Sequence, residues 1–325
     1  MIFIRFGNKG ASVTFSEGLR KHSNGDTFIL TKTSTNFKGT NILFLDKSSI
    51  TKFFKSLFKI VIFLKRTEDV AVILMPSPFD WICIFKKGGI KTIKSIVHDH
   101  KTHQGDNKWK ERLAQSFWRI MKPDIITLSE YVTNNLRKSD IEPIFTLFHP
   151  YFIDDVQIID WSKRKYDIGV FGRFKSYQGI NNLECIRGLL IENELKVVYC
   201  GGSRKVFEDT KNGEEFVYGK ISDKVFFNTM ANTRFVLLPY VEATQSGIIP
   251  NAQALGCKII TTNVGGIRGQ DIYNDFKIIE LNNDSLEKLF KTLDRYTVNE
   301  DVKYYPDSIS PRKFIDKIKE NLGAV

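Results

Sequence analysis

The sequence predicts an α/β protein of two doubly wound parallel-sheet domains facing across a cleft, with a last helix that would cross back. Three observations carry this. The chain has 325 residues, which suits about two domains. Short apolar strands alternate with helical stretches throughout, the mark of parallel sheets. The pattern is interrupted at Asp160-Trp161-Ser162-Lys163-Arg164-Lys165, a polar run that reads as a linker, and then restarts. The domains are expected at 1–160 and 166–305, followed by a C-terminal helix at 306–325.

In the first half, strands are expected at Met1 to Phe6, Thr27 to Leu30, Asn41 to Leu45, Val70 to Leu74, Thr92 to Val97 and Ile125 to Leu128. Helices are expected near Ser48 to Arg66 and Lys110 to Met121. In the second half, strands are expected at Tyr166 to Gly172, Leu195 to Cys200, Glu215 to Tyr218, Phe235 to Tyr240, Cys257 to Thr262 and Phe276 to Leu281. Helices there include Ser222 to Asn232 and Ser285 to Arg295. Ser310-Pro311 opens the final amphipathic helix, with serine as N-cap and proline at the first helical position.

Composition narrows the function. An apolar fraction of 42% and a charged fraction of 26% are ordinary for a globular chain. The net charge of +11 arises entirely within residues 1–165, while residues 166–325 balance. One basic half beside a neutral one suggests that the first domain meets an anionic partner or surface. No nucleic-acid motif accompanies the charge, and its aromatics read as core, so nucleic acid is not an expected partner. Cys83, Cys185, Cys200 and Cys257 show no pairing or metal-ligand spacing and read as buried thiols in a reducing cytoplasm. The first apolar run is too short for a signal peptide.

The stretch Phe235 to Gly266 says most about the ligand. A buried strand runs into Glu242-Ala243-Thr244-Gln245-Ser246-Gly247, then a short apolar helix, a second strand and a Gly-Gly turn. The first N–H groups of such a helix lack internal partners, and its dipole favours negative charge. A diphosphate is expected over Gln245, Ser246, Gly247 and Ile248, with Gly247 permitting close approach. The alternative is an ordinary turn capped by Ser246. Arg173 follows a strand end, and its guanidinium suits the same diphosphate; otherwise it is a surface arginine paired with a carboxylate.

Several motifs in order resemble glycosyltransferase family 4. In the second half these are Ile168 to Arg173 with Tyr177-Gln178-Gly179-Ile180, Val197 to Gly202, Tyr218 to Asp223, Leu238 to Gly256 and Asn263-Val264-Gly265-Gly266. In the first half, Ile96-Val97-His98-Asp99, His103-Gln104-Gly105-Asp106 and Leu128-Ser129-Glu130-Tyr131 resemble a subgroup with an HD…HxG loop and an EATQSG donor motif. The resemblance spans roughly residues 90–300. It implies a GT-B fold of two Rossmann-like domains and retaining transfer from a nucleotide sugar, with no cofactor and no catalytic metal. The acceptor implied is a saccharide, lipid-linked, of the kind built into bacterial surface polysaccharide (O-antigen or capsule type). Departures are specific. Gln178 stands where a lysine is usual, Ala243 and Asn251 stand in the two glutamate places with Glu242 one residue early, and Gly269 stands where a glutamate is common.

The resemblance and the residue chemistry together give the remaining roles. Asn251 would hydrogen-bond the ribose; otherwise it is an exposed polar residue. Glu242 and Thr244 would hold donor-sugar hydroxyls, with Glu242 stabilising oxocarbenium-like charge, or would form a solvated turn. Lys175 would replace the cation absent at Gln178. Lys220 and Ile221 would border the base, or form a plain loop. His98 would contact the donor sugar, and Asp99 would orient the acceptor hydroxyl or take its proton. His103 and Asp106 would shape the acceptor loop, with Gly10 allowing close approach. His98, His100 and His103 with Asp99 and Asp106 also suggest a metal site, although their spacing matches no standard ligand pattern.

The helix from Ser48 to Arg66 sets Lys52, Lys55 and Lys59 on one face, with Phe53, Phe54, Leu57, Phe58, Ile60, Val61, Phe63 and Leu64 filling the rest. It reads as an interfacial helix for an anionic membrane, on the inner face of the cytoplasmic membrane. The alternative is a helix packed on the sheet with a solvated lysine stripe. Lysines interrupt every run short of the ~20 residues that a span needs. Two rival functions stay open: an inactive sugar-nucleotide-binding or scaffold subunit, and an epimerase, which would need acid/base carboxylates.

Overall fold

The structure is a computed structural model that describes residues 1–6, 11–32, 41–100, 108–153, 156–202, 206–293 and 305–323. The chain divides into two compact units, Met1–Phe148 with Pro311–Val325, and His149–Ser310. The change of unit falls at Phe148/His149, ahead of the polar run expected to link the domains.

In the first unit the strands are β1 (Ile2–Arg5), β2 (Thr27–Thr31), β3 (Ile42–Leu45), β4 (Ala71–Met75), β5 (Ile93–Val97), β6 (Asp124–Thr127) and the two-residue β7 (Phe145–Thr146). They form one parallel sheet in the order β3-β2-β1-β4-β5-β6-β7. Strands such as Ile2-Phe3-Ile4 and Ala71-Val72-Ile73-Leu74 are buried along their whole length, as a sheet covered on both faces requires. The helices are α1 (Ala11–His22), α2 (Ile50–Arg66), α3 (Lys108–Met121) and α4 (Glu130–Arg137). Ser49, not Ser48, caps α2: its Oγ accepts from Lys52 N at 3.2 Å.

In the second unit the order of elements is β8 (Tyr166–Gly172), α5 (Ile180–Glu192), β9 (Val197–Gly201), β10 (Glu214–Val217), α6 (Asp223–Ala231), β11 (Thr233–Leu238), α7 (Ile248–Ala254), β12 (Lys258–Thr262), β13 (Lys277–Ile279) and α8 (Asn283–Phe290). The parallel sheet runs β10-β9-β8-β11-β12-β13. The final helix α9 (Pro311–Asn321) belongs to the first unit. Phe314 meets Phe15 of α1 edge-on at 5.8 Å, and Lys319 reaches Asp26 at 2.9 Å. The same Asp26 carboxylate takes the N-terminal ammonium at 3.2 Å.

Each sheet therefore has one point where the chain's progress reverses: between β1 and β4 in the first, between β8 and β11 in the second. Loops leaving adjacent strands at such a point turn to opposite faces and leave a crevice at the carboxyl edge, where ligands of doubly wound sheets bind.

Arg164, expected in a solvated linker, is buried instead. Its Nη1 donates to the carbonyls of Thr233 (2.7 Å) and Gly256 (3.3 Å), its Nη2 to Leu255 (2.7 Å) and its Nε to Ile159 (3.2 Å). One planar fork thus satisfies the carbonyls that end α7 and open β11, which apolar side chains could not do. Cys185 corrects the cysteine expectation: it is exposed, whereas Cys83, Cys200 and Cys257 are buried. Its position on α5 faces away from the sheet, and hydrophobicity alone did not place it. Arg164→Met should lower unfolding free energy by about 2–4 kcal/mol, read from urea denaturation, because it orphans several buried carbonyls.

Candidate functional site

The crevice between β8 and β11 is built by two loops that touch. After Gly172 the chain passes Arg173, the left-handed Phe174 (φ 53°) and Lys175 into a short 3-10 turn, Ser176–Gln178, and then Gly179 at φ 81°. A Cβ on Gly179 would lie 1.8 Å from the Pro239 carbonyl oxygen, so only glycine lets this loop reach the end of β11. The carbonyl of Tyr177 then accepts from Val241 N (3.0 Å) and Glu242 N (3.2 Å), which starts the turn.

A hydrogen-bond relay runs through the contact. Gln178 Oε1 accepts from Lys175 N at 3.3 Å, which leaves Gln178 Nε2 to donate to the Tyr240 phenol. Burial foremost pushes the Tyr240 hydroxyl up to about 12, so it keeps its proton at neutral pH. That hydroxyl lies 2.9 Å from Ser246 Oγ, and Ser246 Oγ accepts from Ile248 N at 3.3 Å. Either hydroxyl of the Tyr240–Ser246 pair can be the donor. Arg173 is exposed, donates to Tyr177 Oη at 2.6 Å, and places its positive charge near Tyr240.

Gln270 fixes the other side of the turn. Its Oε1 accepts from Ser246 N (2.7 Å), its Nε2 donates to Ser246 O (3.0 Å), and Gln253 Nε2 donates to its carbonyl (3.2 Å). The amide expectation is corrected accordingly. Ser246 N–H and Ile248 N–H are consumed inside the protein, because a buried turn cannot leave such groups unpaired. Exposed Gly247 remains the point where a ligand can approach backbone, with Gln245 half-buried beside it.

Asn251 is also corrected. It is buried on α7, not on an exposed face; its Nδ2 donates to Gly247 O (2.6 Å), and its Oδ1 accepts from Phe152 N (2.7 Å). Its amide braces the turn. Thr244 is fully buried and Glu242 half-buried. Lys175 is half-buried, with its ammonium 6.0 Å from the Tyr177 ring centre. Lys220 and Ile221 lie beyond β10, two strands out from β8, on a loop tied to the β9 end by Gly219 N–Gly202 O at 3.1 Å. Sequence reasoning missed Tyr177, Tyr240 and Gln270. Tyr240 carried a signal, a polar tip ending an otherwise apolar strand; Gln270 carried none.

In the first unit, His98 ends β5 and is buried. Its Nε2 lies 3.0 Å from the Leu74 carbonyl at the end of β4, so that nitrogen carries the proton. Phe15 packs edge-on at 4.9 Å. Burial lowers the His98 pKa, against the raising effects of Asp99 and the Leu74 hydrogen bond, so the ring is neutral at pH 7. Asp99 and His100 follow, both half-buried. Gly10, His103 and Asp106 lie outside the described residues. Among the described residues, no group of three or more His, Cys, Asp or Glu is placed to hold a metal ion.

No family model matches the sequence, and no curated protein matches it. Solved structures match throughout the chain. HepE of Anabaena in complex with UDP has a TM-score of 0.65 at 12% identity, over 100% of this chain and 99% of that one. A glycosyltransferase from Rickettsia africae has a TM-score of 0.63 at 15% identity, over 100% and 99%. UDP-GlcNAc 2-epimerase from Methanocaldococcus jannaschii has a TM-score of 0.57 at 11% identity, over 98% and 99%. The chain shares their two-domain GT-B fold.

Two outcomes follow from the geometry. Gly179→Ala should cost about 3 kcal/mol in urea denaturation, since its Cβ meets a backbone carbonyl. For His98, the unfolded chain binds more protons than the folded one below the ordinary histidine value of about 6.5. Acidification through that value should therefore lower the urea midpoint of the wild type relative to that of His98→Gln, while above it their difference should be constant.

Proposed function

We propose that this chain is a retaining glycosyltransferase. The second unit binds a nucleotide sugar, and the first binds a saccharide acceptor, lipid-linked, for surface polysaccharide assembly. The observation that supports it most is the hydrogen-bonded set Gln178–Tyr240–Ser246, which ends at the exposed Gly247 and has the Arg173 charge near Tyr240, at a sheet switch point. Such a site offers donors to the oxygens of a diphosphate. Structures sharing the fold include one holding UDP.

In this reading the acceptor hydroxyl attacks from the face of the departing diphosphate, whose oxygen takes the proton. The protein supplies position and charge. Arg173 and Ser246 stabilise the leaving group, with Lys175 adding charge. Glu242 offers negative charge to the oxocarbenium-like centre. Neutral His98 holds a sugar hydroxyl, and Asp99 orients the acceptor. No cofactor or metal is assigned to the reaction.

The acceptor's lipid is supported by α2. Only Ile60 and Leu64 of this helix are buried, and Ile50, Phe54 and Phe58 form an i, i+4, i+8 stripe exposed to 77%, 61% and 66%. Lys52, Lys55 and Lys59 flank the stripe. Among the described residues no helix is long and apolar enough to cross a membrane; this helix would lie in the interface of an anionic bilayer. The departures at Gln178, Asn251 and Gly269 motivate a second reading, a sugar-nucleotide-binding subunit without turnover, which would bind donors yet never hydrolyse or transfer them.

Transfer from a panel of nucleotide sugars to a lipid-linked saccharide should fall about 100-fold or more in Arg173→Ala, with a smaller loss in Ser246→Ala. Unchanged transfer in both would remove the site assignment. In vesicle flotation the wild type should bind phosphatidylserine-containing vesicles and not phosphatidylcholine ones, and Phe54→Ser with Phe58→Ser should abolish binding.

A further inference from the structure

Arg173 brings charge to the proposed donor site on an exposed side chain, and an exposed arginine samples many rotamers. In this loop it is held. Its Nη2 donates to Tyr177 Oη at 2.6 Å, four residues along the chain. The left-handed Phe174 (φ 53°) and the 3-10 turn at Ser176–Gln178 bend the loop that carries both. Among the described residues no carboxylate pairs with Arg173. A carboxylate would fix the guanidinium and offset its charge. A phenol oxygen fixes it and leaves the charge whole, with the other N–H groups of the fork turned to solvent.

Tyr177 is itself anchored to the far side of the crevice. Its carbonyl accepts from Val241 N (3.0 Å) and Glu242 N (3.2 Å), just past β11. Two residues on, Gly179 lies against the Pro239 carbonyl, where a Cβ has no room. The residue whose carbonyl starts the Ser246 turn is thus the one whose hydroxyl takes the guanidinium. Arg173 is thereby set against that turn, although the two loops leave different strands. Its charge reaches the Tyr240 phenol, where it acts to lower the pKa against the larger effect of burial.

We propose that Tyr177 is a positioning residue, whose hydroxyl orients the Arg173 guanidinium before a nucleoside diphosphate arrives. This rests on the donor-site reading given above. Tyr177 acts through Arg173 and needs no contact with the ligand. Its contribution is entropic, since a side chain already held in its binding geometry loses less freedom when the phosphate oxygens engage it. Tyr177→Phe isolates that contribution: it keeps the ring and the backbone hydrogen bonds and removes the acceptor.

Calorimetric titration of the full chain with UDP, GDP and ADP, each against its own nucleoside, tests this in the wild type, Tyr177→Phe, Arg173→Ala and the double variant. Tyr177→Phe should weaken the preferred diphosphate about fivefold and leave its nucleoside unchanged. In the Arg173→Ala background the same change should have no further effect, because no guanidinium is left to hold. Equal diphosphate affinity in wild type and Tyr177→Phe overturns the inference and leaves the glycosyltransferase reading standing. A loss that persists in full without Arg173, or that the nucleoside shares, overturns it as well, since either shows a role that does not pass through the arginine. Arg173→Ala binding as tightly as the wild type overturns the inference together with the part given to Arg173. Failure of the wild type to bind any of the three diphosphates overturns the inference and the reading beneath it.

Discussion

The approach of Gly179 to the Pro239 carbonyl is the constraint on which the second unit depends. It brings the loop leaving β8 onto the end of β11 at the point where the sheet's winding reverses. From that contact the rest follows. Tyr177 starts the Ser246 turn with its carbonyl, Gln178 reaches the Tyr240 phenol, and Arg173 lies beside them. A doubly wound sheet leaves a crevice there in any case. What this sequence adds is a dense set of hydrogen bonds within it, through Gln178, Tyr240, Ser246 and Gln270.

Those bonds change the character of the site. A strand-to-helix turn suggests a row of backbone amides waiting for phosphate. Here Gln270 and Ser246 take two of those amides. In the proposed site the groups offered to a ligand are then the Ser246 hydroxyl, the exposed Arg173 guanidinium and the exposed Gly247 backbone. Polar networks are rigid when every member is satisfied.

Much of this was legible in the sequence, for identifiable reasons. The strands of both sheets are continuous apolar runs, and the periodicity of parallel strands and helices separates them; β7, with two residues, is too short to leave a pattern. The position of Arg173, Ser246 and Gly247 just past the strands β8 and β11 was readable because a strand end followed by small polar residues is a local signal. Asn251, Gln270 and Arg164 were misjudged or missed because their roles are contacts with residues far away in the chain: Phe152, Ser246, and the carbonyls of Thr233 and Leu255. The basic, aromatic face of α2 was visible as composition, but only burial showed that Ile50, Phe54 and Phe58 stay exposed. In the first unit, the link from α9 through Phe314 and Phe15 to His98 joins the last helix to the end of β5, a connection no local pattern announces.

The proposed glycosyltransferase activity requires the crevice between β8 and β11 to accept a nucleoside diphosphate group. Thermal melting of the intact chain across a panel of nucleotide sugars addresses it directly, because a ligand that binds only the folded state raises the melting temperature with its concentration. The account predicts a saturable rise for at least one nucleotide sugar and for its nucleoside diphosphate, absent with the free sugar. Melting curves that no member of the panel moves would contradict it.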